Sequence, residues 1–400
     1  MGVGINVGYL TGHNTIRRTV MGLEDRSPTP DELARMRGMV ARAMDEGAWG
    51  VSTGLKYLPG AFSDVDEVVA LSEAAAEAGG IYTSHLREEG LGLLEGVSEA
   101  IEIGRRADIP VVLTHHKVVG EPMWGSSSTT LAMVDSARAA GVDVMIDQYP
   151  YAASYTGCDI LIPTWAQAGG DDELLARMDD PALADSILAG IAYNIVTDRG
   201  ANDLSRVQFA IVDWDESLEG ETLADLADRE EVEPTPENGA RLLIDVVRSG
   251  GASCIFHAMD QDDVDAIMAH PQTMIASDGR LTAPGIGHPH PRWYGTFPRV
   301  LGVYVRQRGI LDLETAVHKM TGMPAARMGL VDRGQVREGW IADLVVFDPE
   351  TVVDRATFEE PHQYPAGIPW VFVNGVAQIA GGEFMDRRPG RVLRKPRISG

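Results

Sequence analysis

The sequence predicts an α/β chain organised as a TIM-type β/α barrel, followed by a small C-terminal β portion. Three observations carry this. Residues 81–117 read as two buried strands, IYTSH and VVLTHHK, joined by a helix (GLLEGVSEAIEIGRR) whose apolar residues recur at helical spacing. That is one βαβ unit, the crossover that two parallel neighbouring strands require. The strand–helix alternation repeats on both sides of it, and beyond Leu330 the texture changes to short β-branched runs between turns.

In chain order, residues 4–10 (GINVGYL) predict a strand, followed by the polar loop Thr11-Gly12-His13-Asn14. Ser27-Pro28-Thr29-Pro30-Asp31-Glu32 places proline and acids in the first turn of a helix reaching Glu46. Residues 48–55 predict a short buried strand and 63–78 a second capped helix, which Gly79-Gly80 turns into the strand ending at His85. Ala107-Asp108-Ile109-Pro110 breaks the following helix and feeds the strand ending at His115. A Ser-rich loop, a helix over 130–140 and a strand over 142–147 lead to Tyr149-Pro150-Tyr151. From 152 to 252 the rhythm loosens into acidic helical segments, a strand at 207–212 and proline punctuation at 233–236, which predicts an insertion. Barrel rhythm is expected to resume with Cys254-Ile255-Phe256-His257, a helix over 262–269 and a strand over 273–278. Residues 314–328 predict one helix. The barrel domain is thus expected over 1–329 and a β-sandwich portion over 330–400, with strands at 334–336, 342–347 and 370–373 and Asn374-Gly375 as a hairpin turn.

Composition narrows the class of partner. With a formal net charge of −25, nucleic acid and anionic membranes would be repelled. The 2 cysteines, Cys158 and Cys254, lie far apart and outside metal-knuckle spacing, so neither a disulfide framework nor a cysteine zinc site is indicated. The N-terminus lacks the basic region and apolar run of a signal peptide, and no apolar stretch is long enough to span a bilayer. These features predict a cytoplasmic protein that works on a small molecule. They leave its oligomeric state open.

His85 and His115 end two adjacent parallel strands, where the side chains that do chemistry in a β/α barrel sit. Two neutral imidazoles aimed into one mouth suit a divalent transition metal. A lone strand-end histidine is more often structural, and an Asp-Gly pair such as Asp278-Gly279 is by itself a turn; here the pair follows an apolar strand, which favours a catalytic carboxylate. Strand alternation sends His116 to the face opposite His115, so it reads as packing. His13, His257, His270, His318 and His362 read as structural. His288-Pro289-His290 cannot serve as a central-strand ligand pair, because proline breaks the ladder.

Several motifs carry a resemblance: Val51-Ser52-Thr53-Gly54-Leu55, Thr83-Ser84-His85-Leu86-Arg87-Glu88, Thr114-His115-His116-Lys117, Asp147-Gln148-Tyr149-Pro150-Tyr151, Ser277-Asp278-Gly279, His290-Pro291-Arg292, the run from Gly295 to Gly302, and the tail from Gly339 to Asp348. On them the chain resembles the amidohydrolase superfamily and, within it, the N-acyl-D-amino-acid deacylases, or D-aminoacylases. The resemblance implies a metal-dependent barrel with a β-sandwich formed from both chain ends. It implies hydrolysis of N-acyl-D-amino acids to a carboxylate and a free D-amino acid. It also implies one or two divalent ions, zinc foremost, held by His85, His115 and Asp278. Asp278 would be the base that takes a proton from water and returns it to the leaving amine. Lys117, Tyr149 and Arg292 match positions that hold the substrate carboxylate. Cyclic-amide hydrolysis or deamination on the same scaffold is the neighbouring alternative, and a non-catalytic binding fragment the more distant one. By the same resemblance a His-x-His pair and a cysteine ligand belong ahead of Gly4. The 400 residues alone are therefore expected to lack the first barrel strands, to hold an incomplete metal centre and to show little deacylase activity.

Overall fold

The computed structural model describes residues 2–396. Five strands in the first part of the chain form a parallel ladder: β1 (Thr11–Gly12), β2 (Gly50–Gly54), β3 (Ile81–His85), β4 (Val111–Leu113) and β5 (Val144–Gln148). The chain then builds a separate antiparallel sheet from β6 (Ser154–Gly157), β7 (Val207–Ile211) and β8 (Ser253–Phe256), with β8 in the middle. It returns as β9 (Thr273–Ile275), which pairs in parallel with β5. Among the described residues the parallel sheet has 6 strands with β1 and β9 at its edges.

Helices cover the sheet because their sequences present one apolar face. Leu93–Ala107 buries Leu93, Gly96, Val97, Ala100, Ile103, Gly104 and Ala107, the spacing of a single helical stripe, and Asp108 ends it in a left-handed cap at φ 49°. Pro30–Asp45 starts on a capping box in which Thr29 and Glu32 exchange hydrogen bonds, with Pro30 where a missing N–H costs nothing. Against these helices β3, β4 and β5 contribute Tyr82, Val111, Leu113, Val144 and Ile146 to the main core.

Close approach at Gly50 sets the spacing of β2 and β3. A Cβ there would lie 2.0 Å from the carbonyl oxygen of Ile81 and 2.6 Å from its nitrogen, both backbone atoms of the paired strand. Gly50→Ala is therefore expected to cost about 3 kcal/mol by overpacking. Urea unfolding of the two proteins checks it through the midpoint shift.

Several expectations are corrected. Residues 254–257 do not form a barrel strand: β8 is flanked on both sides by antiparallel partners, and Cys254 and Phe256 are buried in a second core that runs from Cys158 to Phe256. The segment 4–10 forms no strand of the parallel sheet, whose first strand begins at Thr11, although the Tyr9 carbonyl accepts the Trp49 N–H at 2.8 Å. Val3 and Val7 instead bridge Gly390 and Val392, and the Trp49 indole donates to the Leu393 carbonyl, so both chain ends meet. The helix expected over 314–328 breaks at Thr321 into Leu313–Met320 and Gly322–Met328. Pro324 supplies no N–H to bond back across that break and disfavours a helical residue before it. No strand forms at 334–336.

The C-terminal sheet is antiparallel, β10 (Leu344–Val346), β11 (Trp370–Val373), β12 (Val376–Ala380) and β13 (Glu383–Phe384). Asn374 and Gly375 join β11 to β12 with φ of 50° and 78°, the left-handed pair that a two-residue hairpin demands. No helix among the described residues is long and apolar enough to cross a membrane.

Candidate active site

Parallel pairing of β3 with β4 sets Ser84 beside Leu113, and the Thr114 N–H continues the ladder to the Ser84 carbonyl at 3.0 Å. The strand ends there, and His115 turns out of it at φ 39°. Such a backbone is costly for a residue other than glycine and needs external support. Asp147 supplies it: its carboxylate accepts the His115 N–H at 2.5 Å and the Thr114 hydroxyl at 2.8 Å. The result brings Nδ1 of His85 within 2.9 Å of Nε2 of His115.

Glu89 joins them, and sequence reasoning missed it. One donor atom from each of His85, Glu89 and His115 lies within 4.8 Å of the others. Burial, reinforced by His115, Lys117 and Arg199, pushes His85 well below the usual imidazole value, against the pull of Glu89. The ring is therefore neutral, the form a metal needs. Burial opposes the charge on Glu89, but His85, Lys117 and His115 hold it well below the ordinary carboxylate range. Nε2 of His85 is buried without a hydrogen-bond partner. Two neutral imidazoles with nitrogens facing at 2.9 Å and an adjacent carboxylate fit a divalent cation. The available signal was the His-x-x-x-Glu spacing in the loop after β3, which alone is too common to read.

All six residues singled out in the sequence line one cavity of about 510 Å³: His85, His115, Lys117, Tyr149, Asp278 and Arg292. Lys117, Tyr149 and Arg292 are 3%, 1% and 3% exposed. Lys117 forms an ion pair with Glu89, and burial lowers its pKa against that partner. The Tyr149 hydroxyl turns onto Sδ of Met259, 3.9 Å away, while its ring face lies under Arg292 at 4.4 Å and Lys117 at 5.8 Å. Tyr149 is thus a floor beneath two cations more than a hydroxyl donor. Arg292 pairs with Asp278 at 2.7 Å. Asp278 itself follows β9 with φ 44° and a half-exposed side chain, reachable from the cavity. Tyr57, whose ring lies 4.7 Å from that of His85, and Arg280, stacked 5.2 Å from Tyr155, complete walls that no motif announced.

The other polar histidines and the thiols do other work. His116 lies beyond the end of β4, so strand alternation does not govern it. It packs at 1% exposure with Nε2 2.9 Å from the Thr130 hydroxyl. Burial, with Lys117 beside it, lowers its pKa from 6.5 to about 3. The unfolded chain then binds a proton that the folded chain refuses, so this contribution is complete above pH 6.5 and is lost as pH falls towards 3. At pH 4.5 the loss is about 2–3 kcal/mol. His116→Gln, which keeps a partner for Thr130, is expected to flatten the difference between urea midpoints measured at pH 7 and 4.5. His13 pairs with Glu67 at 2.7 Å in a buried cluster with Arg17, and His290 contacts the Ala153 carbonyl at 3.0 Å. Cys158 and Cys254 are free and buried in the second core, and burial pushes the Cys158 thiol up to about 12.

Comparison with known proteins agrees with this geometry. The amidohydrolase family model matches residues 4–377. The chain is 38% identical to D-aminoacylase of Alcaligenes xylosoxydans xylosoxydans, over 97% of its own length and 70% of the relative's. It is 39% identical to N-acyl-D-glutamate deacylase of the same organism, over 98% and 70%. A crystal structure of N-acyl-D-glutamate deacylase from Bordetella bronchiseptica, complexed with zinc and a phosphonate mimic of the tetrahedral intermediate, superposes with a TM-score of 0.81 at 37% identity, covering 98% of this chain and 72% of that one. With this similarity along nearly its whole length, and with paired histidines and a carboxylate gathered in one cavity beside the sheet, the chain belongs to the amidohydrolase family.

Proposed function

We propose that this chain hydrolyses the amide bond of N-acyl-D-amino acids, with zinc as the metal, giving a carboxylate and a free D-amino acid. One observation carries the reading: a paired-histidine centre, a reachable carboxylate and two buried cations over an aromatic floor share one cavity. A bound divalent cation at His85 and His115 supplies polarisation of the scissile carbonyl and acidification of water. Arg292, with its planar fork, takes the substrate's α-carboxylate above Tyr149, and Lys117 adds a point charge. In the structure Oδ2 of Asp278 lies 2.7 Å from Nη2 of Arg292. A substrate carboxylate arriving there displaces it, so binding frees the base. Asp278 then takes a proton from water as the oxygen bonds to the carbonyl carbon, and delivers it to the amine nitrogen as the C–N bond breaks.

In the same reading the residues from Thr11 to 329 supply the catalytic barrel, with an inserted segment that reaches Phe256, and the residues after 329, met by Val3 and Val7, the sandwich portion. Two unpaired buried thiols suit a reducing cytoplasm. Cyclic-amide hydrolysis is the competing chemistry. The purified, zinc-supplied chain should be offered N-acyl-D-amino acids, their L-isomers and hydantoin-type rings. Preferential release of D-amino acid, even at a low rate, supports the proposal. Ring opening with the N-acyl-D-amino acids untouched would contradict it.

A further inference from the structure

Glu89 stands close enough to be counted with His85 and His115 as a ligand, yet it lies behind the two rings and not between them. The nitrogens that face one another are Nδ1 of His85 and Nε2 of His115. The opposite nitrogens face Glu89: Nε2 of His85 is 3.6 Å from Oε2, and Nδ1 of His115 is 3.4 Å from Oε1. Each carboxylate oxygen is also held by a cation, Oε1 by Lys117 and Oε2 by Arg199 at 2.9 Å. Arg199 comes from the segment between β6 and β7, and its side chain, like that of Glu89, is 2% exposed.

Resting on the metal reading above, we propose that Glu89, anchored by Arg199, is a positioning residue and not a ligand: its one carboxylate orients both histidines so that Nδ1 of His85 and Nε2 of His115 present their lone pairs to the cation. A ligating histidine needs its other ring N–H held by an acceptor, which fixes tautomer and ring angle and raises basicity. Here one carboxylate faces both rings, at 3.4 Å from His115 and 3.6 Å from His85, so a small closure on the His85 side would make it the acceptor for both. Moving Oε2 onto a metal would strip a fully buried guanidinium of one of its two carboxylate partners, leaving Asp198 alone.

Lys117 makes the role of Glu89 sharper. Its Nζ is 2.6 Å from Nδ1 of His115. An ammonium proton given to that nitrogen would leave the ring proton on Nε2, on the metal side. Glu89 pairs with the same ammonium and stands 3.4 Å from Nδ1, so in this proposal it is the acceptor that keeps the ring proton on Nδ1 and Nε2 free. The charges around the centre also balance, Glu88, Glu89 and Asp198 against Lys56, Lys117 and Arg199, so this shell adds no net repulsion to an incoming dication.

The test combines histidine ¹⁵N NMR on the unaltered zinc-loaded chain with metal titration of variants. Expected in the NMR spectrum are a proton on Nε2 of His85 and on Nδ1 of His115, with zinc on the other nitrogen of each ring. Glu89→Gln is expected to keep stoichiometric zinc and an unchanged cobalt(II) ligand-field spectrum, while chelator competition shows affinity lower by roughly 10–100-fold. Arg199→Met should lose affinity on the same scale and Arg199→Lys recover part of it, whereas Glu88→Gln, at the more exposed neighbouring carboxylate, should match the parent. Reversed nitrogens, parental affinity in Glu89→Gln, or a cobalt spectrum showing loss of a carboxylate ligand in that variant would overturn the assignment. If Glu89→Gln does not fold, the NMR of the unaltered chain decides alone. A chain that takes up no zinc defeats the metal reading instead, and the metal-free ring of His85, expected protonated on Nε2, still tests the orientation by Glu89.

Discussion

Asp278→Asn is expected to lower kcat for N-acyl-D-amino acid hydrolysis by roughly 10²–10⁴-fold, the range a positioned general base contributes, with bound zinc retained. The geometry adds a second expectation that separates this role from a structural one. Asp278 holds the Arg292 guanidinium at 2.7 Å, so an amide in its place weakens the internal competitor for the substrate carboxylate. KM should therefore stay level or fall while kcat collapses. Steady-state kinetics beside metal analysis of the same preparation reads all three quantities. Unchanged turnover in the variant would remove Asp278 from the chemistry, and loss of zinc would make it a required ligand.

Arg292→Ala is expected to act in the opposite sense, raising KM by about two orders of magnitude with a smaller loss in kcat. The guanidinium is 3% exposed, lies 4.4 Å over Tyr149 and has Asp278 as its ion-pair partner. Asp278, its partner, is half-exposed and can be solvated when the guanidinium is removed, so the loss falls mainly on substrate binding. An anchor on a carboxylate distant from the scissile bond binds ground and transition states alike, so its loss appears chiefly in KM. Arg292→Lys should recover little, because an ammonium lacks the planar fork and the stacking face. A variant that lost kcat alone, with substrate affinity intact, would show that Arg292 does not hold the carboxylate.

The residues that sequence reasoning found and those it missed differ in how local their signals are. His85 and His115 were legible because each ends a buried strand of one βαβ unit, so parallel pairing alone makes them neighbours. Asp278 was legible from the apolar strand before it and Arg292 only through motif resemblance; nothing in periodicity says that a loop after β9 folds back to put them in contact. Glu89 and Arg199 meet across 110 positions of chain, and each by itself reads as a surface charge. Strand periodicity located β2 to β5 well. It misplaced residues 254–257, because a short apolar run looks the same in a barrel strand and in the centre of an antiparallel sheet, and only its partners β6 and β7 distinguish them. Residues 4–10 failed for a related reason: an extended apolar segment does not reveal that its partner is the C-terminal tail.

The most direct test of the account is a zinc-loaded crystal with diffraction collected at the zinc edge. The expected result is an anomalous peak between Nδ1 of His85 and Nε2 of His115, with the two rings opened slightly from their 2.9 Å approach to admit it and Glu89 still paired with Arg199. A peak elsewhere in the chain, or none at this pair under saturating zinc, would contradict the assignment of the cavity as a metal-dependent hydrolytic site.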